Sequence, residues 1–210
     1  MDLEDHWNRI YSTNPVPTLG WYEPTPEPSL KLLEKCGLGI EDPILDIGAG
    51  ASTFMDCLID KGFQNLYALD ISEIALDKLK TRLGEEKASR VSWIVEDVNQ
   101  ATRLTKLSQV ALWHDRALLH FLIEEERQQA YKRALLNTIR QGGYAMIAAF
   151  SLQGANQCSG LAVHNYDQNS LAEFLGESFA LIEYIDYLYT MPSGDFRPYV
   201  YTLFQRQLHE

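Results

Sequence analysis

Four short apolar runs in this chain end in groups that can do chemistry: Asp46 followed by Gly48-Ala49-Gly50, then Asp70, then Glu96-Asp97, then His114-Asp115. An ionised carboxylate only accepts hydrogen bonds, so it suits hydroxyl and amino groups of a ligand. An imidazole changes charge near neutral pH and can move a proton. Glycine at Gly48 and Gly50 lets the backbone turn sharply and approach a ligand, because no Cβ stands in the way. An apolar strand, a glycine turn and a helix start form a nucleotide-type site, with backbone N–H groups facing the ligand. Thr53 stands where the dinucleotide pattern G-x-G-x-x-G has its third glycine, which sets this loop apart from an NAD loop.

Asp70 comes about twenty residues after the loop, the spacing at which a carboxylate receives ribose hydroxyls. Asp97 can accept an exocyclic adenine N–H, and Ile71 and Val98 offer apolar faces to the ring. With loop N–H groups free for a carboxylate, these residues describe an adenosine bearing an amino acid. Either aspartate alone reads as a helix or turn cap; both following strands in step favours a ligand. His114 is a candidate base, and the alternative is a buried histidine satisfied by backbone. Asp115 either contacts a ligand or forms an ion pair with Arg116. Tyr11, Trp21 and Tyr22 can present aromatic faces to a cation or simply anchor the N-terminal arm. Cys158, His164 and Tyr166 are lesser candidates, and His6, His120 and His209 are scattered, with no metal-ligand spacing.

The elements that would hold these groups alternate between strand-like and helix-like periods, which predicts a mostly parallel sheet covered by helices. Strands are expected at 43–47, 66–69, 91–95, 110–114 and 144–150. Ser52 is placed to cap a helix that Gly62 ends, and Ser72 one that runs to Leu83 and stops at Gly84. An amphipathic stretch covers 124–140, a loop 151–165, and a short helix 169–175. Segments 181–187 and 199–205 flank a hairpin-like 191–198, so the last strand returns antiparallel and forms an edge. Five prolines between 14 and 28 exclude a helix there and predict an ordered arm, residues 1–30, over the sheet's carboxyl edge.

At 210 residues, 46% hydrophobic and 22% charged, one α/β domain with a buried core is expected. A net charge of −11 with dispersed cations disfavours nucleic acid. The acidic N-terminus has no apolar core behind it, and no run is long enough to span a membrane, so a cytoplasmic protein is expected. Cys36, Cys57 and Cys158 read as free thiols.

The segments Ile44-Leu-Asp-Ile-Gly-Ala-Gly50, Ala68-Leu-Asp-Ile-Ser72, Glu96-Asp-Val98 and Gly142-Gly-Tyr144 resemble the motifs of class I S-adenosylmethionine-dependent methyltransferases. The resemblance implies an α/β, Rossmann-like, seven-stranded mostly parallel sheet with an antiparallel last strand and helices on both faces. It implies that Asp46 orients the methionine moiety, Asp70 holds the ribose and Asp97 meets the adenine. The implied cofactor set is completed by Gly48, Ala49, Gly50, Ile71, Glu96, Val98, Trp113, Tyr11, Trp21 and Tyr22, with His114 and Asp115 catalytic. His6-Trp7, Tyr11 and Gly20-Trp21-Tyr22 are similar to the subgroup containing elongation-factor and citrate-synthase lysine methyltransferases. Trp113-His114 and Cys158-Ser-Gly160 look more like its bacterial members. The implied reaction moves a methyl group to an N, O or S nucleophile of a small molecule or protein and releases S-adenosylhomocysteine, in a monomer or homodimer. A non-catalytic S-adenosylmethionine-binding module and an NAD-dependent oxidoreductase are the other readings.

Overall fold

The computed structural model describes residues 2–208 apart from Ala101 and Ser108. Its strands are β1 (Ile44–Ile47), β2 (Leu66–Asp70), β3 (Val91–Val95), β4 (Val110–Arg116), β5 (Ile139–Phe150), β6 (Gln157–Cys158), β7 (Leu161–Ala162), β8 (Phe179–Thr190) and β9 (Phe196–Arg206). Seven of them form one sheet in the order β3-β2-β1-β4-β5-β9-β8, and β6 and β7 make a separate hairpin within the loop after β5. The first five strands are mutually parallel. β9 is antiparallel to both β5 and β8, so the antiparallel strand sits inside the sheet and β8 is the edge. Burial explains this correction: Tyr199–Phe204 of β9 is wholly buried, whereas β8 alternates with exposed positions.

The helices are α1 (Leu3–Thr13), α2 (Glu27–Lys35), α3 (Phe54–Asp60), α4 (Glu73–Ala88), α5 (Glu125–Thr138) and α6 (Gln168–Leu175). Leu32, Leu58, Leu76 and Leu79 of α2, α3 and α4 pack on Ile44, Ala68 and Leu112 across one face. Tyr131, Leu135 and Leu171 of α5 and α6 pack on Leu45, Ile47 and Ile147 across the other. Each fully buried leucine contributes roughly 2 kcal/mol. No helix among the described residues is long and apolar enough to cross a membrane.

Two helices lie outside the sequence expectation. α1 starts at Asp2, whose side chain accepts from Glu4 N at 2.9 Å. α2 begins inside the proline-rich segment, because Pro28 occupies its first turn, where a missing N–H leaves no hydrogen bond unmade. At Gly84 the backbone does leave the helical conformation, at φ 74°, yet the helix resumes as far as Ala88. α1 lies across the carboxyl edge of the sheet, held where Ser72 Oγ donates to Asn8 Oδ1 at 2.7 Å and Lys78 Nζ to Asn14 O at 3.1 Å. Ser72 Oγ also accepts from Ala75 N at 3.1 Å and so caps α4. The variant Ser72→Ala is expected to lose about 1–2 kcal/mol of stability. Urea unfolding measures that loss, and amide exchange should show α1 released before the sheet.

Candidate functional site

The carboxyl ends of β1 to β4 open into one cavity of about 1240 Å³ of empty space, its mouth included. The floor is set by the turn after β1. Gly48 takes φ +60°, and a Cβ there would stand 2.7 Å from Leu118 Cδ1; Gly50 takes φ +51° and its Cβ would collide with the Tyr11 hydroxyl. Only glycine fits either position without displacement. Leu3, Trp7 and Tyr11 of α1 and Trp21, Tyr22 and Glu23 of the following arm form the roof. Trp21 Nε1 donates to the Tyr11 hydroxyl at 3.2 Å, and Trp7 meets Trp21 and Phe121 edge to face at 5.7 and 5.1 Å.

Asp70 accepts from Gly50 N at 2.8 Å and from Ser72 N at 2.7 Å. Burial pushes its carboxyl up to about 6, against the pull of those two donors. Asp46 Oδ1 pairs with His114 Nδ1 at 2.6 Å, while Asp46 Oδ2 is buried without a partner among the described residues. Asp97 accepts from Asn99 N and Asn99 Nδ2 at 2.9 and 2.7 Å and meets Arg127 at 3.4 Å. Glu96 accepts from Thr102 and from Arg103 N at 3.0 Å. Tyr11, Trp21, Tyr22, Asp46, Gly48, Ala49, Asp70, Ile71, Glu96, Asp97 and Val98 all line the cavity.

Four expected site residues do not. Gly50 is turned away, its N–H spent on Asp70. Trp113, fully buried, donates from Nε1 to the Tyr131 hydroxyl at 3.0 Å under α5. Asp115, on the same side of β4, accepts from Tyr131 at 2.7 Å and from Leu118 N and Leu119 N at 2.9 and 3.1 Å. It caps the turn Leu119–Phe121, and burial pushes its carboxyl up to about 6. His114 faces the opposite side but stops below the cavity. It is 1% exposed, its Nδ1 engages Asp46, its Nε2 lies 2.9 Å from Ser29 Oγ, and its ring stacks on Phe54 at 4.0 Å. With both nitrogens used it positions Asp46 and has no access to an acceptor. Position along the strand is the cause: residues 114 and 116 share that face, and 116, at the carboxyl end of β4, is the one that reaches the cavity.

Arg116 and Glu23 are therefore the site residues that the sequence did not single out. Arg116 Nε lies 2.8 Å from Glu23 Oε2 and 2.9 Å from the Tyr201 hydroxyl, and Nη1 donates to Trp21 O at 2.8 Å. Arg116 pairs with Glu23 instead of Asp115. A signal was present: Glu23 is the lone charged residue between Asn14 and Pro26. Cys158 and Tyr199 also line the cavity, whereas His164 and Tyr166 lie away from it. His6 and His120 are buried outside the cavity wall, and His209 lies outside the described residues.

The profile of a family described as a methyltransferase domain matches residues 44–143, the span from β1 to the start of β5. The chain thus matches a methyltransferase domain over just under half of its length. It is 24% identical over 134 residues to the eEF1A lysine and N-terminal methyltransferase of Bos taurus, a match covering 61% of the chain and 18% of that relative. It thus spans less than a fifth of the curated relatives' length. Its fold is similar to that of a SAM-dependent methyltransferase from Anabaena variabilis, with a TM-score of 0.78, 14% identity, and 98% and 93% of the two chains covered. It is also similar to the N-methyltransferase NodS of Bradyrhizobium japonicum bound to S-adenosylhomocysteine, with a TM-score of 0.70, 17% identity, and 96% and 99% covered. The cavity's residues fit S-adenosylmethionine: the glycine cradle leaves room where a side chain would intrude, and Asp46 Oδ2 is a buried acceptor with no donor among the described residues.

Removing the imidazole beneath Asp46 leaves a buried carboxylate unpaired. The variant His114→Ala is expected to lose about 3 kcal/mol or more, read as a lower urea midpoint.

Proposed function

We propose that the cavity holds S-adenosylmethionine with its adenosine between β2 and β3 and its methionine over the Gly48 turn, and that the acceptor is an N, O or S nucleophile of a small molecule or a protein side chain. The observation that carries this reading is Asp70: its carboxylate fixes Gly50 and still lines the cavity, so one residue both shapes the loop and faces the ribose position. Asp97 and Val98 then stand at the adenine position. Asp46 Oδ2 faces the amino group, and the aromatic roof of Tyr11, Trp21 and Tyr22 favours the cation.

Bound S-adenosylmethionine supplies an activated methyl group with its own leaving group. The protein's part is alignment and exclusion of water, which the roof and floor provide. The bovine relative's name points to a protein lysine or N-terminus as acceptor, and this is the second reading of the acceptor. A cytoplasmic location is part of the same proposal, in keeping with three free thiols and a net charge of −11.

Calorimetry is expected to show binding of S-adenosylmethionine and S-adenosylhomocysteine in preference to NAD; the reverse order sinks the reading. Asp70 titrates at about 6 in the folded protein, above its ordinary 3.8. The free protein therefore protonates it as pH falls through 6, and the neutral acid is the poorer acceptor of ribose hydroxyls. Affinity is expected to drop by about tenfold between pH 7 and pH 5. Asp70→Asn should bind more weakly at pH 7 and lose that slope.

A further inference from the structure

The sheet order divides the cavity. Asp97 and Asp70 follow β3 and β2 on one side of the Gly48 turn; Arg116 and Tyr199 belong to β4 and β9 on the other, with Cys158 from the loop after β5. The reading above uses only the first side. On the second, Glu23 and Arg116 form a 2.8 Å ion pair, with Glu23 6% exposed. The guanidinium also lies over the rings of Tyr199 and Tyr189 at 5.2 and 5.5 Å. A buried pair of this kind is poor value for stability alone, since apolar residues of similar volume do as well. Arg116 Nη2 remains without a partner among the described residues. Glu23 receives the Tyr201 hydroxyl at 3.3 Å on its other oxygen, which leaves lone pairs on a carboxylate that lines the cavity. Tyr199 also lines this wall.

The rest of this half is aromatic. Trp7, Trp21 and Phe121 wall it, and α1 meets the β6–β7 hairpin where the His6 ring lies against the Ser159 backbone. The lining is continuous from Asp97 and Val98 on one side to Cys158 and Tyr199 on the other, so an acceptor held on the second side lies beside the cofactor.

On the methyltransferase reading of this cavity, we propose that the side walled by Glu23, Arg116, Cys158 and Tyr199 is the acceptor subsite. Its occupant is a small molecule with a flat apolar body, and Glu23 is the catalytic residue that receives the hydrogen of its nucleophilic N–H, O–H or S–H. The acceptor heteroatom bonds to the methyl carbon as the sulfur–methyl bond breaks, its proton passes to the Glu23 carboxylate, and the sulfonium charge is discharged to a neutral thioether. Arg116 keeps Glu23 ionised between turnovers, while burial holds that carboxyl above the usual range and so makes it a better proton acceptor.

The test uses the full chain with methyl-labelled S-adenosylmethionine and three probes: 4-methylphenol and 4-methylaniline, flat nucleophiles that keep their O–H or N–H at neutral pH, and a lysine-containing peptide. Transfer to at least one flat probe is expected, together with calorimetric binding of that probe to the S-adenosylhomocysteine-loaded protein. Glu23→Gln should leave S-adenosylmethionine affinity unchanged and lower kcat about 100-fold. Tyr199→Phe removes only a hydroxyl and keeps the ring at the cavity wall, so it should fold normally and raise KM for the probe. Transfer to the peptide alone, absence of flat-probe binding, weakened cofactor binding in Glu23→Gln, or an unchanged KM in Tyr199→Phe each overturns the assignment. Failure of the unaltered protein to bind S-adenosylmethionine overturns the underlying reading instead.

Discussion

The carboxylate of Asp70 is the joint on which the site depends. It leaves β2 and within 2.8 Å takes the N–H of Gly50, from the turn after β1, and the N–H of Ser72, at the start of α4. Without it the left-handed turn would bury an unpaired donor. The turn so fixed brings Gly48 against Leu118, whose own N–H is held by Asp115, which in turn accepts from Tyr131 of α5. A line of hydrogen bonds and contacts thus runs from β2 through the floor of the cavity to the helix layer behind it. The floor has little freedom to move without breaking a buried bond.

The roof is tied to the same joint. Ser72 caps α4 with the hydroxyl oxygen that also donates to Asn8 of α1, so the residue next to Asp70's loop decides where the N-terminal helix rests. Tyr11 closes on Gly50, Trp21 on Tyr11, and Trp7 on Trp21. Thr53, at the start of α3, donates to Glu23 O at 2.9 Å and pins the arm to the helix that follows the glycine turn. Floor and roof are therefore one hydrogen-bonded assembly.

The parallel core was legible in the sequence because every signal there was local. A strand of apolar residues, a glycine turn and a serine cap recur after β1 and β2, and the chemistry of those turns names their positions. The same logic picked out Asp46, Asp70 and Asp97, all of which line the cavity. It failed where the outcome depended on packing between distant segments. The prolines near α2 read as helix-breaking, yet Pro28 sits in a first turn, where that effect vanishes. β9 read as an edge strand, yet its uninterrupted burial places it inside. In β4 the sequence marks Trp113, His114 and Asp115 as chemically interesting without saying which face meets the cavity; the register against β1 decides it.

That register explains the division of labour along β4. Asp46 pairs with His114 across neighbouring strands, so the imidazole is consumed as a buried support for a carboxylate that lines the cavity. Two residues on, the same face carries Arg116 to the cavity rim, and there its partner comes from the N-terminal arm. A carboxylate on a body strand, backed by histidine, and a carboxylate on the arm, backed by arginine, thus stand on either side of the Gly48 turn. The first is fixed within the sheet by its histidine; the second is carried on the arm and fixed to the sheet by Arg116, so the two sides of the cavity are held by different parts of the chain.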